Sequence, residues 1–273
     1  MKDLAVIIPS GDKTRDESLQ GLLDDLSRQT LVPVQIEVVR GVSPNGRARN
    51  QGVARTRCEY LVFLDDDVRL GAPDVLEKLL LALQQPGVGL SGTSQLLPPD
   101  SSAFQKRCAG EIPRSQSEVV KELTDSDMVT TQCCATRRDV LLQLGGFHDQ
   151  ILRGVDPELR HRYRQAGWRI VIAPEAWHYH PMPSSWKALW VMAYRNGYSS
   201  AFAQKHFPET VLFNPEGHVD RFEARPPLWR RLLRRAAGLL GAVARGRWGG
   251  LAYDLAYASG YLRCSLQDFR SNR

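Results

Sequence analysis

The sequence predicts an α/β fold, in which a mainly parallel β-sheet is flanked by helices and followed by a helical C-terminal appendage. Short β-branched apolar runs alternate with amphipathic helical patterns over the first hundred residues, and this alternation is typical of βαβ units. From residue 184 onward the pattern is helical. Hydrophobic residues make up 42% of the chain and charged residues 24%, a balance that excludes a disordered protein.

Four strands and three helices are predicted in the first 95 residues. The apolar runs at 4–9, 33–39, 60–64 and 88–90 have the length and composition of buried strands. A second helix is expected at 45–57, and a third begins at Pro73, because proline suits a first helical position. The first helix is amphipathic, with leucines at i, i+3, i+4 and i+7 (Leu19, Leu22, Leu23 and Leu26).

After a loop at 98–102 the pattern is less regular. Strands are expected at 128–135 and 168–172, a short helix between Thr136 and the stop signal Gly145-Gly146, and another helix at 157–166. A long helix at 184–206 and two helices beyond residue 228 follow. We therefore expect a domain at 1–183, with halves at about 1–95 and 96–183, and a helical C-terminal region at 184–273.

The net charge of +6 is unevenly distributed along the chain. Seven arginines and no acidic residue lie between Arg225 and Arg247. A segment of this kind suits an anionic surface, either a membrane or a nucleic acid. The nearby tryptophans, Trp229 and Trp248, are too few for a base-stacking platform, and no recognition motif is present, so we expect no nucleic-acid partner.

Cysteine usage and hydropathy bear on the compartment. The five cysteines include no CxxC pair, which argues against a disulfide framework and favours a reducing compartment. The apolar runs at 4–8 and 236–244 are too short for a signal-peptide core and for a membrane span, respectively. We expect a cytoplasmic protein with peripheral contact at the inner face of a membrane. The expected contact consists of apolar and arginine side chains at 228–240 and of Trp248, Tyr253, Leu255, Tyr257, Tyr261 and Leu262.

Three consecutive carboxylates, Asp65, Asp66 and Asp67, follow the predicted buried strand 60–64. In an open parallel sheet, ligands bind beyond the carboxyl ends of the strands. Clustered carboxylates repel each other unless a cation offsets the charge, and oxygen ligands suit Mg²⁺ or Mn²⁺. The triplet therefore indicates a divalent-metal site, and the alternative is an acidic turn in water.

Four blocks of sequence resemble family 2 glycosyltransferases, which have the GT-A fold and invert the anomeric centre. In this sequence the blocks read GRARNQG at 46–52 followed by YLVFLDDD at 60–67, GGF at 145–147, DPELRHR at 156–162 with AGW at 166–168, and APEA at 173–176 with YHP at 179–181 and YRNG at 194–197. The resemblance covers residues 4 to about 200. It implies a Rossmann-like nucleotide-sugar half at about 1–95 and an acceptor half at 96–183.

The resemblance implies which residues hold the nucleotide sugar. Asp65 and Asp67 form the DxD motif, in which Asp67 is expected to ligate Mn²⁺ or Mg²⁺ and Asp65 or Asp66 to face the nucleotide. His180 matches a histidine that ligates the metal or contacts the diphosphate in related enzymes. Further donor-side residues are expected to be Arg49, Pro9 and Ser10. A UDP-sugar is the default donor.

Asp156 matches the catalytic base of the family, which takes the proton from the acceptor hydroxyl. An alternative stays open from the residues alone, because an Asp before Pro157 also suits a helix N-cap. His178 and His180 alternate along an extended segment, so only one should face the site. No third soft ligand stands at zinc-site spacing, and we expect no zinc.

Two departures from the family pattern concern specificity. Val155 stands where the family has a glutamate before the base, which leaves a non-catalytic nucleotide-sugar-binding homologue as an alternative. Arg40 stands where an acidic residue usually holds the nucleotide base. A phosphohydrolase of the haloacid dehalogenase type is a second alternative, since Asp65 and Asp67 also fit its motif. The favoured interpretation is transfer of a sugar to a lipid or glycan acceptor in cell-envelope synthesis.

Overall fold

An eight-stranded sheet lies at the centre of the computed structural model, which describes residues 3–11, 13–208, 230, 233, 237–238 and 241–267. The strands are β1 Leu4–Ser10, β2 Gln35–Arg40, β3 Tyr60–Leu64, β4 Arg69–Leu70, β5 Val88–Leu96, β6 Thr124–Asp125, β7 Cys133–Arg137 and β8 Arg169–Tyr179. The α-helices with described bounds are α1 Asp16–Ser27, α2 Asn45–Ala54, α3 Val75–Leu83, α4 Ala103–Glu111, α5 Arg138–Gln143, α6 Val155–Gln165, α7 Trp186–His206 and α8 Trp248–Leu266.

The sheet has the order β2-β1-β3-β7-β5-β8-β4, and β6 pairs with β8. β2, β1 and β3 are mutually parallel, β5 and β8 are parallel, and β7 is antiparallel to both β3 and β5. Five strands therefore run one way, and β4, β6 and β7 run the other way. The predicted α/β class with a mostly parallel sheet is confirmed.

Alternate residues of the central strands bury the two faces of the sheet. Val6 and Leu64 pack on one face with leucines of α1 and α3. Ile7 and Phe63 pack on the other face with apolar residues of α2, α5 and α6, including Tyr163. Because both faces are covered, the strands are continuously apolar, as the sequence indicated.

Several element boundaries differ from the prediction, among them those of β7, β8 and α3. β7 begins at Cys133, because residues 128–132 form a loop whose last residues line the cleft described below. β8 continues to Tyr179, because a bulge opposite Thr93 accommodates residues 173–176, including Pro174 and the positive φ of Glu175. α3 begins at Val75, two residues after Pro73.

Two C-terminal helices pack through small residues. On α7 these are Ala193, Gly197 and Ala201, and on α8 they are Ala256, Gly260 and Cys264, each set four residues apart. A Cβ on Gly197 would overlap the carbonyl oxygen of Tyr257, and one on Gly260 would overlap that of Tyr194. The close approach therefore requires glycine at both positions.

α8 also reaches the main domain through α4. The Arg247 guanidinium donates to the carbonyl oxygen of Glu111, and the Gly250 N–H donates to its carboxylate at 2.9 Å. None of the described helices is long and apolar enough to cross a bilayer. Most of the cationic segment expected at 226–240 lies outside the described residues.

Candidate functional site

A cleft of about 710 Å³ opens beyond the carboxyl ends of β1 and β3. Its lining comes from the end of β1, α2 and the carboxylate triplet, and from the loop before α6, the end of β8 and one face of α7. Its polar lining residues are Arg15, Ser43, Asn45, Arg49, Asp65, Asp66, Asp67, Thr131, Gln132, Arg153, Asp156, His180, Arg195, Asn196 and Ser200. The cleft therefore has the position that an open α/β sheet predicts for a ligand site.

The three consecutive carboxylates have different partners. Asp66 is 8% exposed and accepts hydrogen bonds from the Ser10 hydroxyl at 2.9 Å and the Gly11 N–H at 3.3 Å. Ser10 is itself buried and does not line the cleft, whereas Pro9 does. Asp66 thus fixes the end of β1, and it leaves Asp65 and Asp67 as the carboxylates with larger exposure to the cleft.

Asp65 is paired with a buried guanidinium. Arg49 is 2% exposed, donates to Asp65 Oδ1 at 2.6 Å and lies over the ring of Phe147 at 5.6 Å. Burial raises the pKa of Asp65 to about 6, and Arg49 opposes that rise by favouring the carboxylate. Arg49 thus occupies one oxygen of Asp65 and holds its carboxylate in place.

Asp67 and His180 lie close together in the lining of the cleft. Their closest atoms, Asp67 Oδ1 and His180 Nε2, are 3.6 Å apart, and ligand atoms about 2.1 Å from one ion lie roughly 3.0–3.6 Å from each other. The other Asp67 oxygen pairs with the half-exposed Arg15 at 2.7 Å. The donor set fits a divalent ion bound by one carboxylate and one imidazole.

Such an ion would need more ligands than the protein supplies. Within the described ranges, no group of three or more His, Cys, Asp or Glu side chains forms a metal-binding cluster. Mg²⁺ and Mn²⁺ commonly take one or two carboxylates from the protein and the remaining oxygens from substrate phosphates and water. The cleft therefore suits a metal that binds together with a phosphorylated ligand.

Asp156 lines the cleft from the first turn of α6. Its Oδ1 accepts hydrogen bonds from the Thr131 N–H at 2.8 Å and from the Thr131 hydroxyl at 2.7 Å. The N-cap of α6 is Gly154, in a left-handed conformation, and Asp156 lies two residues further on. The alternative interpretation of Asp156 as an N-cap is therefore wrong, because its carboxylate points to the cleft wall and not to the helix terminus.

His178 and His180, on either side of Tyr179, have different surroundings. His178 is 1% exposed, and its Nδ1 lies 2.7 Å from the Thr93 hydroxyl. Burial and the neighbouring His180 lower the pKa of His178 to about 3, so its ring is neutral. Only His180 lines the cleft, as the alternation predicted.

Two of the sequence blocks are physically connected. Asn50 of α2 donates to the Phe147 carbonyl at 2.8 Å and accepts from the Phe147 N–H at 2.9 Å, so it clamps the turn after Gly146. A Cβ on Gly46 would overlap the carbonyl oxygen of His148, and one on Gly52 would overlap Ile7. These contacts hold α2, and with it Arg49, against the sheet.

Among the polar cleft residues that sequence reasoning missed, three lie close to Asp156 along the chain or in the cleft wall. Thr131 was placed inside a predicted strand, and the only signal for its role was its polar neighbour Gln132. Arg153 and Arg195 line the wall around Asp156. Arg195 belongs to the YRNG block, which had been noted without a role, and Arg153 lies three residues before Asp156.

A model of the family described as "Glycosyltransferase like family 2" matches residues 5–199. The chain is similar to the O-antigen chain rhamnosyltransferase RfbN of Salmonella typhimurium, with 23% identity over 181 residues that cover 64% of this chain and 55% of that protein. It is also similar to the O-antigen biosynthesis protein RfbC of Myxococcus xanthus, with 28% identity over 182 residues that cover 61% of this chain and 14% of that one. The alignments thus span about half or less of these relatives.

Among solved structures, the fold is similar to the mannosyltransferase PcManGT from Pyrobaculum calidifontis, determined in complex with GDP-Man and Mn²⁺. The TM-score is 0.59, with 17% identity, and the match covers 95% of this chain and 86% of that one. At this identity the likeness bears on the fold alone, and it agrees with the α/β architecture described above.

Proposed function

We propose, from the premise that this chain belongs to glycosyltransferase-like family 2, that it transfers a sugar from a nucleoside-diphosphate sugar to an acceptor hydroxyl with inversion. The observation that carries the proposal is the arrangement of the cleft. A metal-compatible pair, Asp67 and His180, and a carboxylate proposed as the base, Asp156, line the same cleft. The sugar to be transferred would lie between them.

The relatives suggest the substrate class. RfbN is named an O-antigen chain rhamnosyltransferase, and PcManGT was solved with GDP-Man and Mn²⁺. By analogy we propose a nucleotide sugar as donor, a UDP-sugar first and GDP-mannose second, and a lipid or glycan acceptor of the cell envelope. The glycosyl group that we propose to be transferred is a hexosyl group. The domain is proposed to end near residue 183, with residues 184–273 as a helical region docked on it.

Asp67 Oδ1 and His180 Nε2 are the atoms proposed to hold the divalent ion. A bound Mn²⁺ or Mg²⁺ supplies positive charge to the diphosphate leaving group. Asp65, paired with Arg49, and Asp66, fixed by Ser10, keep the end of β3 in place beside the nucleotide. Pro9 and Arg49 are proposed to line the nucleotide site with them.

Asp156 is proposed to remove the proton from the attacking acceptor hydroxyl. Thr131 occupies one carboxylate oxygen, so the other oxygen is the proton acceptor. The acceptor oxygen would attack the anomeric carbon from the side of Asp156, opposite the diphosphate. The new glycosidic bond forms as the bond to the diphosphate breaks, and the anomeric centre is inverted. Val155 is 5% exposed and packs in the core, and Glu158 pairs with Arg162, so neither competes with Asp156 for this role.

A peripheral membrane contact is proposed for the C-terminal region. Trp248, Leu255 and Leu262 are spaced by seven residues on α8 and are 49%, 47% and 58% exposed, so they form one apolar stripe. Tyr253 and Tyr261, which the sequence suggested for this contact, instead hydrogen-bond to Asn196 and Gln204 of α7. The stripe and the cationic segment together suit an anionic lipid surface.

The experiment that tests the transferase proposal is a donor screen. The purified chain is incubated with a panel of UDP- and GDP-sugars and Mn²⁺, and released nucleoside diphosphate is measured with and without envelope glycolipid extract. The proposal expects release from at least one donor, accelerated by the extract. Binding of a nucleotide sugar with no release under any condition would favour the non-catalytic alternative.

A further inference from the structure

Two arginines separate the cleft from a second, smaller pocket. Arg153, in the loop before α6, and Arg195, on α7, line both spaces. The second pocket has a volume of about 350 Å³, and its other walls are Leu152, Tyr194, Tyr198 and Ser199. Aromatic and aliphatic side chains would surround the body of a molecule in this pocket. The two arginines would lie next to it on the side shared with the cleft.

These two arginines differ from the other arginines of the cleft in lacking a carboxylate partner. Arg15 and Arg49 are each paired with an aspartate, Asp67 and Asp65 respectively. Within the part of the chain that the structure describes, Arg153 and Arg195 make neither a hydrogen bond nor an ion pair with a protein group. Their charges are available to a ligand.

The two positive charges also act on each other. Desolvation by burial lowers the pKa of Arg153, and the charge of Arg195 lowers it further, whereas the carboxylates of Asp65 and Asp67 oppose the shift without reversing it. Two like charges held together at a protein surface cost free energy that a bound anion recovers. An anionic group between Arg153 and Arg195 would remove this repulsion.

The donor alone does not account for this anion site. The diphosphate of a nucleotide sugar is proposed to bind with a divalent ion at Asp67 and His180, and the ion offsets its charge. The second pocket shares these two arginines with the cleft and is lined by α7 and the loop before α6, the elements next to Asp156 from which the acceptor is proposed to approach.

We propose that the acceptor carries a phosphate group, which binds between Arg153 and Arg195 while its adjoining organic part lies against Tyr194 and Tyr198. The inference rests on the proposed transferase function and specifies its acceptor as a phosphorylated one. Guanidinium groups bind phosphate oxygens with strong, charge-assisted hydrogen bonds. The organic part could be a lipid chain or a sugar ring, since both suit an aromatic wall.

The test measures binding of two phosphate probes, hexyl phosphate and glucose 1-phosphate, by ligand-observed NMR in the presence of saturating nucleoside diphosphate and Mn²⁺. Hexyl β-glucoside is the uncharged control. We expect at least one phosphate probe to bind beside the nucleotide, at least tenfold more tightly than the control. Preference for hexyl phosphate indicates a lipid phosphate, and preference for glucose 1-phosphate indicates a sugar phosphate.

The variants are Arg195→Gln and a matched control on the same helix, Lys187→Gln, whose side chain is exposed and outside both pockets. Arg195→Gln should weaken the phosphate probe at least tenfold and change nucleotide affinity less than twofold, and Lys187→Gln should change neither. Circular dichroism confirms folding of both variants.

Three results would overturn the inference: displacement of the nucleotide by the phosphate probe, a tenfold loss of nucleotide affinity in Arg195→Gln, or equal probe affinity in wild type and Arg195→Gln. If no nucleoside diphosphate binds the wild-type protein, the proposed transferase function fails. The phosphate probes, measured without nucleotide, then still decide whether the two arginines form an anion site.

Discussion

Thr131 holds one carboxylate oxygen of Asp156 with both of its hydrogen-bond donors, the backbone N–H at 2.8 Å and the hydroxyl at 2.7 Å. Within the described chain the second oxygen of Asp156 accepts no hydrogen bond, and Asp156 lines the cleft. The pair therefore leaves one oxygen of Asp156 without a hydrogen bond beside the cleft. This orientation supports the base role that we propose for Asp156.

Replacement of Asp156 by asparagine should abolish most turnover without affecting donor binding. The amide keeps the size of the side chain but cannot accept a proton, so turnover should fall by roughly two to four orders of magnitude. Steady-state kinetics and calorimetry on the same preparation check both expectations. Near-normal turnover in this variant would remove Asp156 from the mechanism.

Replacement of Thr131 by valine tests the orienting role separately. The variant loses the hydroxyl donor and keeps the backbone donor, so kcat should fall about tenfold, equivalent to about 1.4 kcal/mol, while the Kd for nucleotide stays unchanged. Thr124→Val is the matched control, because its hydroxyl bonds only to the Glu122 carbonyl at an exposed site. Equal kcat in both variants would show that Thr131 does not orient the base.

The α7–α8 contact should fail when a methyl group is added at its crossing point. Gly197→Ala would force the helices apart and lower the free energy of unfolding by roughly 1–3 kcal/mol, the usual cost of overpacking. In Gly110→Ala, on α4, the new methyl group meets no atom within 4 Å, so this variant should be neutral or slightly stabilised. Thermal unfolding of both variants compares them, and equal midpoints would contradict the close packing.

Vesicle sedimentation tests the membrane contact proposed for α8. Wild-type protein should sediment with anionic vesicles and not with neutral ones, and added salt should weaken binding by screening. Leu255→Ser with Leu262→Ser should weaken it because the apolar stripe is lost, whereas Leu142→Ser, an exposed leucine on α5, should not. Failure of wild-type protein to sediment at low salt would make a soluble acceptor the better proposal.

Strand and helix patterns predicted the architecture because buried strands leave a strong local signal. β3 was predicted with its observed bounds, and its carboxyl end led directly to Asp65 and Asp67. The reversed direction of β7 left no such signal, because an apolar run reads the same in either direction. Local sequence therefore identified the layers and one edge of the site but not the pairing that completes the sheet.

The part of the cleft around Asp156 is formed by residues that are distant along the chain, so local sequence patterns did not predict it. Thr131 and Asp156 are 25 residues apart, and Arg153 meets Arg195 only because α7 packs beside the loop before α6. The predicted strand ended at residue 172, whereas the bulge in β8 carries the strand past Pro174 to Tyr179, next to His180. Hydrophobic periodicity does not predict such long-range contacts. For this reason the family resemblance pointed to Asp156, whereas its hydrogen-bond partner Thr131 was missed.

Binding of UDP and GDP, measured by calorimetry with Mn²⁺ and with chelator, tests most directly whether the cleft holds a metal-bound nucleoside diphosphate at Asp67 and His180. We predict that chelator, or Asp67→Asn, weakens binding at least tenfold, about 1.4 kcal/mol. Chelator removes the ion that offsets the charge of the diphosphate, and Asp67→Asn removes one of the two protein ligands proposed to hold that ion. Asp125→Asn, at a surface ion pair with Arg169 and outside the cleft, should bind like wild type. Equal affinity with and without metal, in wild type and Asp67→Asn alike, would contradict the account.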